Sequence, residues 1–134
     1  VDGMNTFYYS ESILNGINLK KLNLFIKKNL ESNEYDNIII VFYIKHYNII
    51  KESQFDFEIK EIFANEIKIN EKISIIFSPL YKDDDMLSLY LWLSSPNNYI
   101  MTKDNFTNHV KKFHDNLYNH GLWEYYILNK KISY

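Results

Sequence analysis

The sequence contains no cysteine and no arginine, only three glycines and two prolines, and no long apolar run. The lack of cysteine excludes a disulfide framework, a thiolate zinc site and a cysteine nucleophile within these 134 residues. No apolar run approaches the roughly 18–20 residues that span a bilayer, and no signal-peptide pattern opens the chain. We therefore expect an intracellular protein of a reducing compartment, without a membrane partner.

The chain also lacks a large excess of charge of either sign, because it has 15 basic and 17 acidic residues and a formal net charge of -2. This balance excludes a strongly basic module that coats nucleic acid, although a nuclease whose negative charge lies in its metal site stays possible. Every basic residue is lysine, and Ile, Asn, Lys and Tyr abound, which is the signature of A/T-rich codons. Lysine-rich stretches therefore carry little weight by themselves.

What is present is enough apolar sequence for one domain over 1–134, since 46% of the residues are hydrophobic. The chain begins with Val1 rather than Met, so we expect that it was excised from a longer one, with flanking domains. Apolar periodicity predicts an alternation of strands and helices. The predicted strands are the last step of one at 1–3, then 37–44, 73–77, 99–102 and 123–128. The predicted helices are 19–30 with Asn18 as its cap, 57–65, 86–93 and 106–117.

The segment 86–93 is ambiguous, because its leucines alternate perfectly and periodicity alone permits a strand. The aspartates at 83–85 favour a helix, since acidic side chains suit a helix N-terminus. With strands and helices alternating throughout, the sequence predicts a three-layer α/β sandwich with a mostly parallel sheet.

Aspartates follow three of the predicted strands. Asp2 ends the first, Asp84 and Asp85 follow the strand 73–77, and Asp104 follows the strand 99–102. Ligands bind beyond the carboxyl ends of the strands in an open parallel sheet. Carboxylate oxygens are the ligands that Mg²⁺ or Mn²⁺ prefers, and such a cluster is unfavourable without a cation. The pattern predicts a divalent-metal site at this edge.

A simpler interpretation exists for each acid taken singly. Asp104 is a good N-cap for the helix 106–117, and Asp83 or Asp84 for the helix 86–93. Asp2 has no evident cap role, because Gly3 and a turn follow it. The joint arrangement at three strand ends is harder to obtain by chance than any one cap.

The residues around these acids form three motifs. Val1-Asp2-Gly3-Met4-Asn5 resembles the DGxN strand end of the NYN branch of PIN-like nucleases. The segment 84–90 (DDMLSLY) resembles the paired-aspartate helix of protein-only RNase P, and 100–109 (IMTKDNFTNH) resembles that family's next strand and helix. Order and spacing agree over essentially the whole chain.

The resemblance implies a PIN/NYN-like, Rossmann-like metallonuclease that removes the 5′ leader of precursor tRNA. We expect a two-metal-ion mechanism with Mg²⁺ or Mn²⁺ and a water nucleophile. It implies that the metal-binding and catalytic carboxylates are Asp2, Asp84, Asp85 and Asp104. Asn5 would orient Asp2, and His109 would lie near Thr102 as a further supporting residue. Candidate RNA contacts are Lys45, His46, Lys103 and Lys111.

The chain departs from the family pattern around the substrate. Lys103, Asn108 and Tyr43 stand where the family has Asn, Arg and His. The metal acids are intact, but these differences leave the RNA substrate open. The alternatives are another NYN/PIN-type RNase acting on mRNA or structured RNA, and a non-catalytic RNA-binding relative. A receiver-like signalling domain fits poorly, because it places its acid pair after the first strand.

The remaining polar clusters have simpler explanations. The four histidines, at 46, 109, 114 and 120, lack the spacing of a zinc ligand set. Lys111-Lys112 and Lys130-Lys131 could contact RNA phosphates, yet a solvated lysine surface explains them as well.

Overall fold

Two β-branched apolar runs form the centre of a mixed sheet in the computed structural model, which describes residues 1–9, 16–79, 83–104, 106 and 127–132. The described helices are α1 (Gly3–Thr6), α2 (Leu19–Glu31), α3 (Tyr47–Lys51) and α4 (Asp84–Leu93), with a 3₁₀ turn at Ile44–His46. The described strands are β1 (Tyr8–Tyr9), β2 (Gly16–Ile17), β3 (Ile38–Tyr43), β4 (Glu61–Ile62), β5 (Glu66–Lys68), β6 (Ile73–Ser78), β7 (Ile100–Met101) and β8 (Lys131–Ile132).

The main sheet has the strand order β3-β6-β5-β4. β3 and β6 are parallel over their whole length, with Ile38 opposite Ile73 and Tyr43 opposite Ser78. β5 is antiparallel to β6, and β4 is antiparallel to β5. The sheet is therefore mixed: β3 and β6 are parallel, as expected, whereas β5 and β4 add an antiparallel part that was not predicted.

The first two residues join the main sheet to the parallel pair β7 and β8. Asp2 forms a parallel bridge with Val41, and the Val41 N–H donates to the Val1 carbonyl over 2.9 Å. On the other side the Asp2 N–H donates to the Met101 carbonyl over 3.0 Å. The predicted strand end at the start of the chain is thus confirmed, and it lies between β3 and β7.

The two faces of the sheet carry different packing. Alternate residues of β3 and β6 form the main core with the buried face of α2. Its members include Leu22, Phe25, Ile26, Ile38, Ile40, Phe42, Ile73, Ile75 and Phe77. On the opposite face of β3, Ile39 and Val41 line a cavity with Ser88 and Trp92 of α4. Helices therefore cover both faces, which makes the chain a mixed α/β fold. No helix in the described part of the chain has the length and apolar character needed to cross a bilayer.

Several predicted elements are confirmed. α2 begins after Asn18, whose side chain accepts a hydrogen bond from the Lys21 N–H over 3.0 Å. The strands predicted at 37–44 and 73–77 are β3 and β6. The segment with alternating leucines is helical, and α4 begins at Asp84 with Asp83 as its N-cap.

The helix predicted at 57–65 is wrong. Phe55, Phe57 and Ile59 alternate with exposed residues in a non-helical segment and pack against the main core. Glu61–Ile62 then pairs with β5 at the edge of the sheet. Strand pairing and burial of every second side chain outweigh the helical spacing here.

Two predictions near the end of the chain are corrected where residues are described. Phe106 has a φ of 53°, in the left-handed region, so it is not the first apolar residue of a right-handed helix. The rest of that predicted helix, 107–117, lies outside the described residues. In the strand predicted at 123–128, residues 127 and 128 are helical, and the strand that pairs with β7 is β8 instead.

Candidate metal centre

Asp2 is held in place by three elements. Its backbone lies between β3 and β7, and only 1% of its surface is exposed. Oδ1 accepts a hydrogen bond from the Asn5 N–H over 3.3 Å, so Asp2 is the N-cap of α1, contrary to the expectation that it has no cap role. Oδ2 accepts a hydrogen bond from the Thr102 hydroxyl over 2.9 Å. Both carboxylate oxygens therefore have fixed positions.

Asp84 and Asp85 occupy the first turn of α4. The preceding Asp83 takes the cap position, where its Oδ1 accepts a hydrogen bond from the Asp85 N–H over 2.9 Å. Because Asp83 performs the capping, the carboxylates of Asp84 and Asp85 are not used as N-caps. The positive end of the helix dipole still favours their charge.

These acids meet although they are far apart in the sequence. One carboxylate oxygen from each of Asp2, Asp84 and Asp85 lies within 4.8 Å of the others. Asp2 is buried, while Asp84 and Asp85 are half-buried, so the group opens to solvent on the α4 side. Carboxylate oxygens at this spacing suit a hard divalent cation with water in its remaining positions, so the group could hold Mg²⁺ or Mn²⁺.

The electrostatics of Asp2 fit a cation. Burial raises the pKa of the Asp2 carboxyl above its ordinary value, and the nearby Asp84 charge raises it further. The hydrogen bonds from Thr102 and Asn5 lower this pKa but do not offset the burial. A cation beside the carboxylates would reverse this penalty by stabilising their charged forms.

Asp104 does not belong to this group among the described residues. Its Oδ1 accepts a hydrogen bond from the Phe106 N–H over 2.8 Å, and the helix that it was expected to cap lies beyond the described residues. Its own N–H donates to the Thr102 hydroxyl oxygen over 3.1 Å. Metal binding by Asp104 stays a prediction.

Asn5 and Thr102 connect Asp2 to the loop after β7. Thr102 is 1% exposed, and its hydroxyl donates a hydrogen bond to Asp2 Oδ2. The Asn5 side chain points elsewhere, because its Oδ1 accepts a hydrogen bond from the Lys103 N–H over 2.6 Å. Asn5 therefore orients Asp2 through its backbone and holds the loop with its side chain. His109 lies outside the described residues.

Two exposed lysines follow the two strands on either side of Asp2. Lys45 follows β3 and Lys103 follows β7, the two strands between which Asp2 lies. Neither ammonium forms an ion pair with a carboxylate of the described residues. Positive charge on both sides of a carboxylate group suits a polyanion that crosses it. Lys111 lies outside the described residues.

His46 lies beside Lys45 but is partly enclosed. Its ring meets the Tyr8 ring edge-on, with centroids 6.4 Å apart, and its Nε2 has no hydrogen-bond partner among the described residues. Burial lowers the pKa of His46, and the charge of Lys45 lowers it further. His46 is therefore more often neutral at pH 7 than an exposed histidine and is a weak phosphate ligand.

Lys131 is a residue near the site whose role the sequence did not indicate. Its ammonium donates to the main-chain carbonyls of Lys103 and Asp104 over 3.4 and 3.3 Å. No local pattern signals a contact between residues 27 and 28 positions apart, and Lys131 resembles any surface lysine in the sequence.

Compared with known proteins, the chain matches no family model, no curated protein and no solved structure.

Proposed function

We propose that this protein is a metal-dependent endoribonuclease that hydrolyses an RNA phosphodiester. The observation that carries the proposal is the meeting of Asp2, Asp84 and Asp85 within 4.8 Å at the carboxyl edge of the sheet. Three carboxylates and no cysteine or catalytic-triad pattern favour hydrolysis with water as the nucleophile. When bound, a divalent ion supplies Lewis acidity that makes water reactive near neutral pH and offsets charge on the leaving oxygen.

The residues of the chain would divide the remaining work. Asp2, Asp84 and Asp85 hold the ion. The hydroxyl of Thr102, the residue after β7, fixes Oδ2 of Asp2 by a hydrogen bond. Lys45 and Lys103 bind phosphates on the two sides of the scissile bond and set the direction of the RNA. Because the net charge is only -2, these local cations rather than an overall basic surface would attract the substrate.

The resemblance to protein-only RNase P supports precursor tRNA as the substrate and a PIN/NYN-like fold for the domain that carries the site. The resemblance implied that Asp2 and the Asp84–Asp85 pair act together, and their proximity is consistent with that role. Flanking RNA-binding segments would supply most of the tRNA recognition in that case. Another NYN/PIN-type RNase would use the same acids on a different RNA.

The proposal is tested with the variants Asp84→Asn and Asp85→Asn, assayed with Mg²⁺ on precursor tRNA and on a generic RNA stem-loop. We expect each variant to lose more than about 100-fold in turnover, beyond what loss of an outer partner of a metal ligand usually costs. Asp36→Asn is the matched control, because Asp36 is exposed and precedes β3, at the amino-terminal end of the strand rather than the carboxyl end. Circular dichroism should show all three variants folded.

The possible results separate the levels of the proposal. Undiminished Mg²⁺-dependent turnover by the purified Asp85→Asn protein would refute the assigned metal centre. Cleavage of the stem-loop with the same efficiency as precursor tRNA would exclude the tRNA-processing role and retain the nuclease. Products with a 3′-hydroxyl and a 5′-phosphate are expected in either case.

A further inference from the structure

We propose that Lys131 is a positioning residue that fixes the loop 102–104 against the carboxylate group and thereby sets its affinity for a divalent cation. This inference rests on the proposed metal centre. It concerns a residue of β8 whose ammonium donates to the loop after β7 and that acts through this loop.

The loop 102–104 supports Asp2 through consecutive residues. The Thr102 hydroxyl donates to Asp2 Oδ2 over 2.9 Å and accepts from the Asp104 N–H over 3.1 Å. The Lys103 N–H donates to the side chain of Asn5, whose own N–H donates to Asp2 Oδ1. Both oxygens of Asp2 are therefore linked to this loop, and a displaced loop would turn the carboxylate.

Two carbonyls of the same loop face Lys131. The ammonium donates to the carbonyls of Lys103 and Asp104, the two residues that follow Thr102. A lysine suits this place because its ammonium has three donors on a flexible stem and bonds from a charged donor are stronger than neutral ones. β8 brings it there by pairing in parallel with β7, where Ile100 is opposite Lys131.

Loss of the Lys131 ammonium should affect cation binding much more than the stability of the fold. Loss of the ammonium leaves both strands and the Thr102–Asp2 bond in place but allows the loop carbonyls to move. Partners that orient a metal ligand without touching the metal typically contribute about 10-fold or more in metal affinity. We therefore expect weaker cation binding with little change in the stability of the fold.

Lys130 provides a matched control. It is the neighbouring residue, has the same side chain, and its ammonium lies over the Tyr99 ring at 4.6 Å from the centroid. Removing it deletes one charge and the contact with Tyr99 directly before β8, away from the bonds that Lys131 makes with the loop 102–104. A general electrostatic effect would appear in both lysine variants, whereas a positioning effect would appear only in Lys131→Met.

The experiment is a calorimetric titration of the full chain with MnCl₂ alone, which needs no RNA and no turnover. We expect Lys131→Met to raise the Mn²⁺ Kd about 10-fold. Lys130→Met should keep the wild-type Kd, and Lys131→Arg should restore it because the guanidinium keeps the charged donors. In the cleavage assay, Lys131→Met should raise the Mg²⁺ concentration for half-activation by the same factor and leave the KM for RNA unchanged.

The outcomes distinguish this inference from the function on which it rests. A wild-type Kd in Lys131→Met, or an equal loss in Lys130→Met, overturns the role of Lys131 and leaves the metal centre standing. Wild-type protein that binds no Mn²⁺ overturns the metal centre itself. If Lys131→Met does not fold, Lys131→Gln takes its place, with the same weakening expected and the same results overturning the proposal.

Discussion

At the scale of single residues, Asp2 is an acceptor that the fold requires, but its negative charge is unfavourable where it lies. It caps α1 and receives the Thr102 hydroxyl, so the fold requires an acceptor at this place. Yet it is 1% exposed and close to Asp84, so burial and a like charge both raise its pKa. Ionisation of Asp2 therefore lowers the stability of the metal-free protein.

This conflict predicts a pH dependence that Asp2→Asn should remove. An acid whose pKa is raised on folding binds more protons in the folded state, so stability falls as the pH rises from its ordinary value of 3.8 through the raised pKa. In EDTA, the wild type should therefore lose stability relative to Asp2→Asn over that window. The difference in free energy of unfolding should then stay constant at higher pH.

Urea unfolding of both proteins between pH 4 and 8 measures this difference. His46 acts in the opposite sense, because its lowered pKa removes stability as the pH falls, but it is present in both proteins and cancels. A difference that is independent of pH would contradict the assignment of a raised pKa to Asp2.

At the scale of elements, the short helix α1 depends on a close approach that only glycine permits. A Cβ on Gly3 would lie 2.5 Å from the Val41 carbonyl oxygen and 2.8 Å from the Phe42 ring. Backbone cannot yield here without disturbing the pairing that holds Val1 and Asp2 on β3. The requirement is steric, since no described glycine has a positive φ.

We expect Gly3→Ala to lower the free energy of unfolding by about 1–3 kcal/mol, the usual range for overpacking. Gly16→Ala is the control, because a Cβ there meets nothing within 4 Å, and it should leave stability unchanged or raise it by about 0.5 kcal/mol. Chemical denaturation measures both. Equal stability of the two variants would show that α1 can shift without cost.

The elements also show what the sequence can specify. β3 and β6 were predictable because continuous β-branched runs are typical of strands buried on both faces. α4 was predictable from its aspartates and from the alternation of the neighbouring strands and helices, but not from its leucines, which alternate as in a strand. The structure of the segment 55–62 was not predicted. Its end, Glu61–Ile62, pairs with β5, and such pairing depends on tertiary contacts that the local sequence does not reveal.

The candidate site was predictable in part for a related reason. Strand ends of parallel strands meet at one edge, so Asp2 and the Asp84–Asp85 pair were expected together, and they lie together. Asp104 follows β7 at the same edge but directs Oδ1 to the Phe106 N–H, a local bond that strand position does not decide. The contact of Lys131 with the loop 102–104 joins distant segments and leaves no pattern in the sequence.

At the scale of the whole molecule, the acidic group exists only in the folded chain. Asp2 comes from the segment beside β3, while Asp84 and Asp85 come from α4, more than 80 positions later in the sequence. An unfolded chain cannot hold these carboxylates at 4.8 Å, so a cation that binds them binds the native state selectively. Under the proposed metal centre, metal binding and folding are therefore linked.

This linkage predicts that Mn²⁺ or Mg²⁺ raises the thermal midpoint of the wild type. At about a hundredfold excess over Kd, selective binding adds about 2.7 kcal/mol, which for a domain of this size corresponds to a shift of about 10 °C. The shift should increase with the logarithm of the metal concentration and be reversed by EDTA.

The double variant Asp84→Asn/Asp85→Asn separates this site from weak binding elsewhere on an acidic surface. Its midpoint in EDTA should equal or exceed that of the wild type, because the repulsion with Asp2 is relieved, and added Mn²⁺ should leave it unchanged. The order of stability of the two proteins should therefore invert as metal is added. An equal rise in both would place the stabilising ion outside the carboxylate group, since the variant lacks two of its three members.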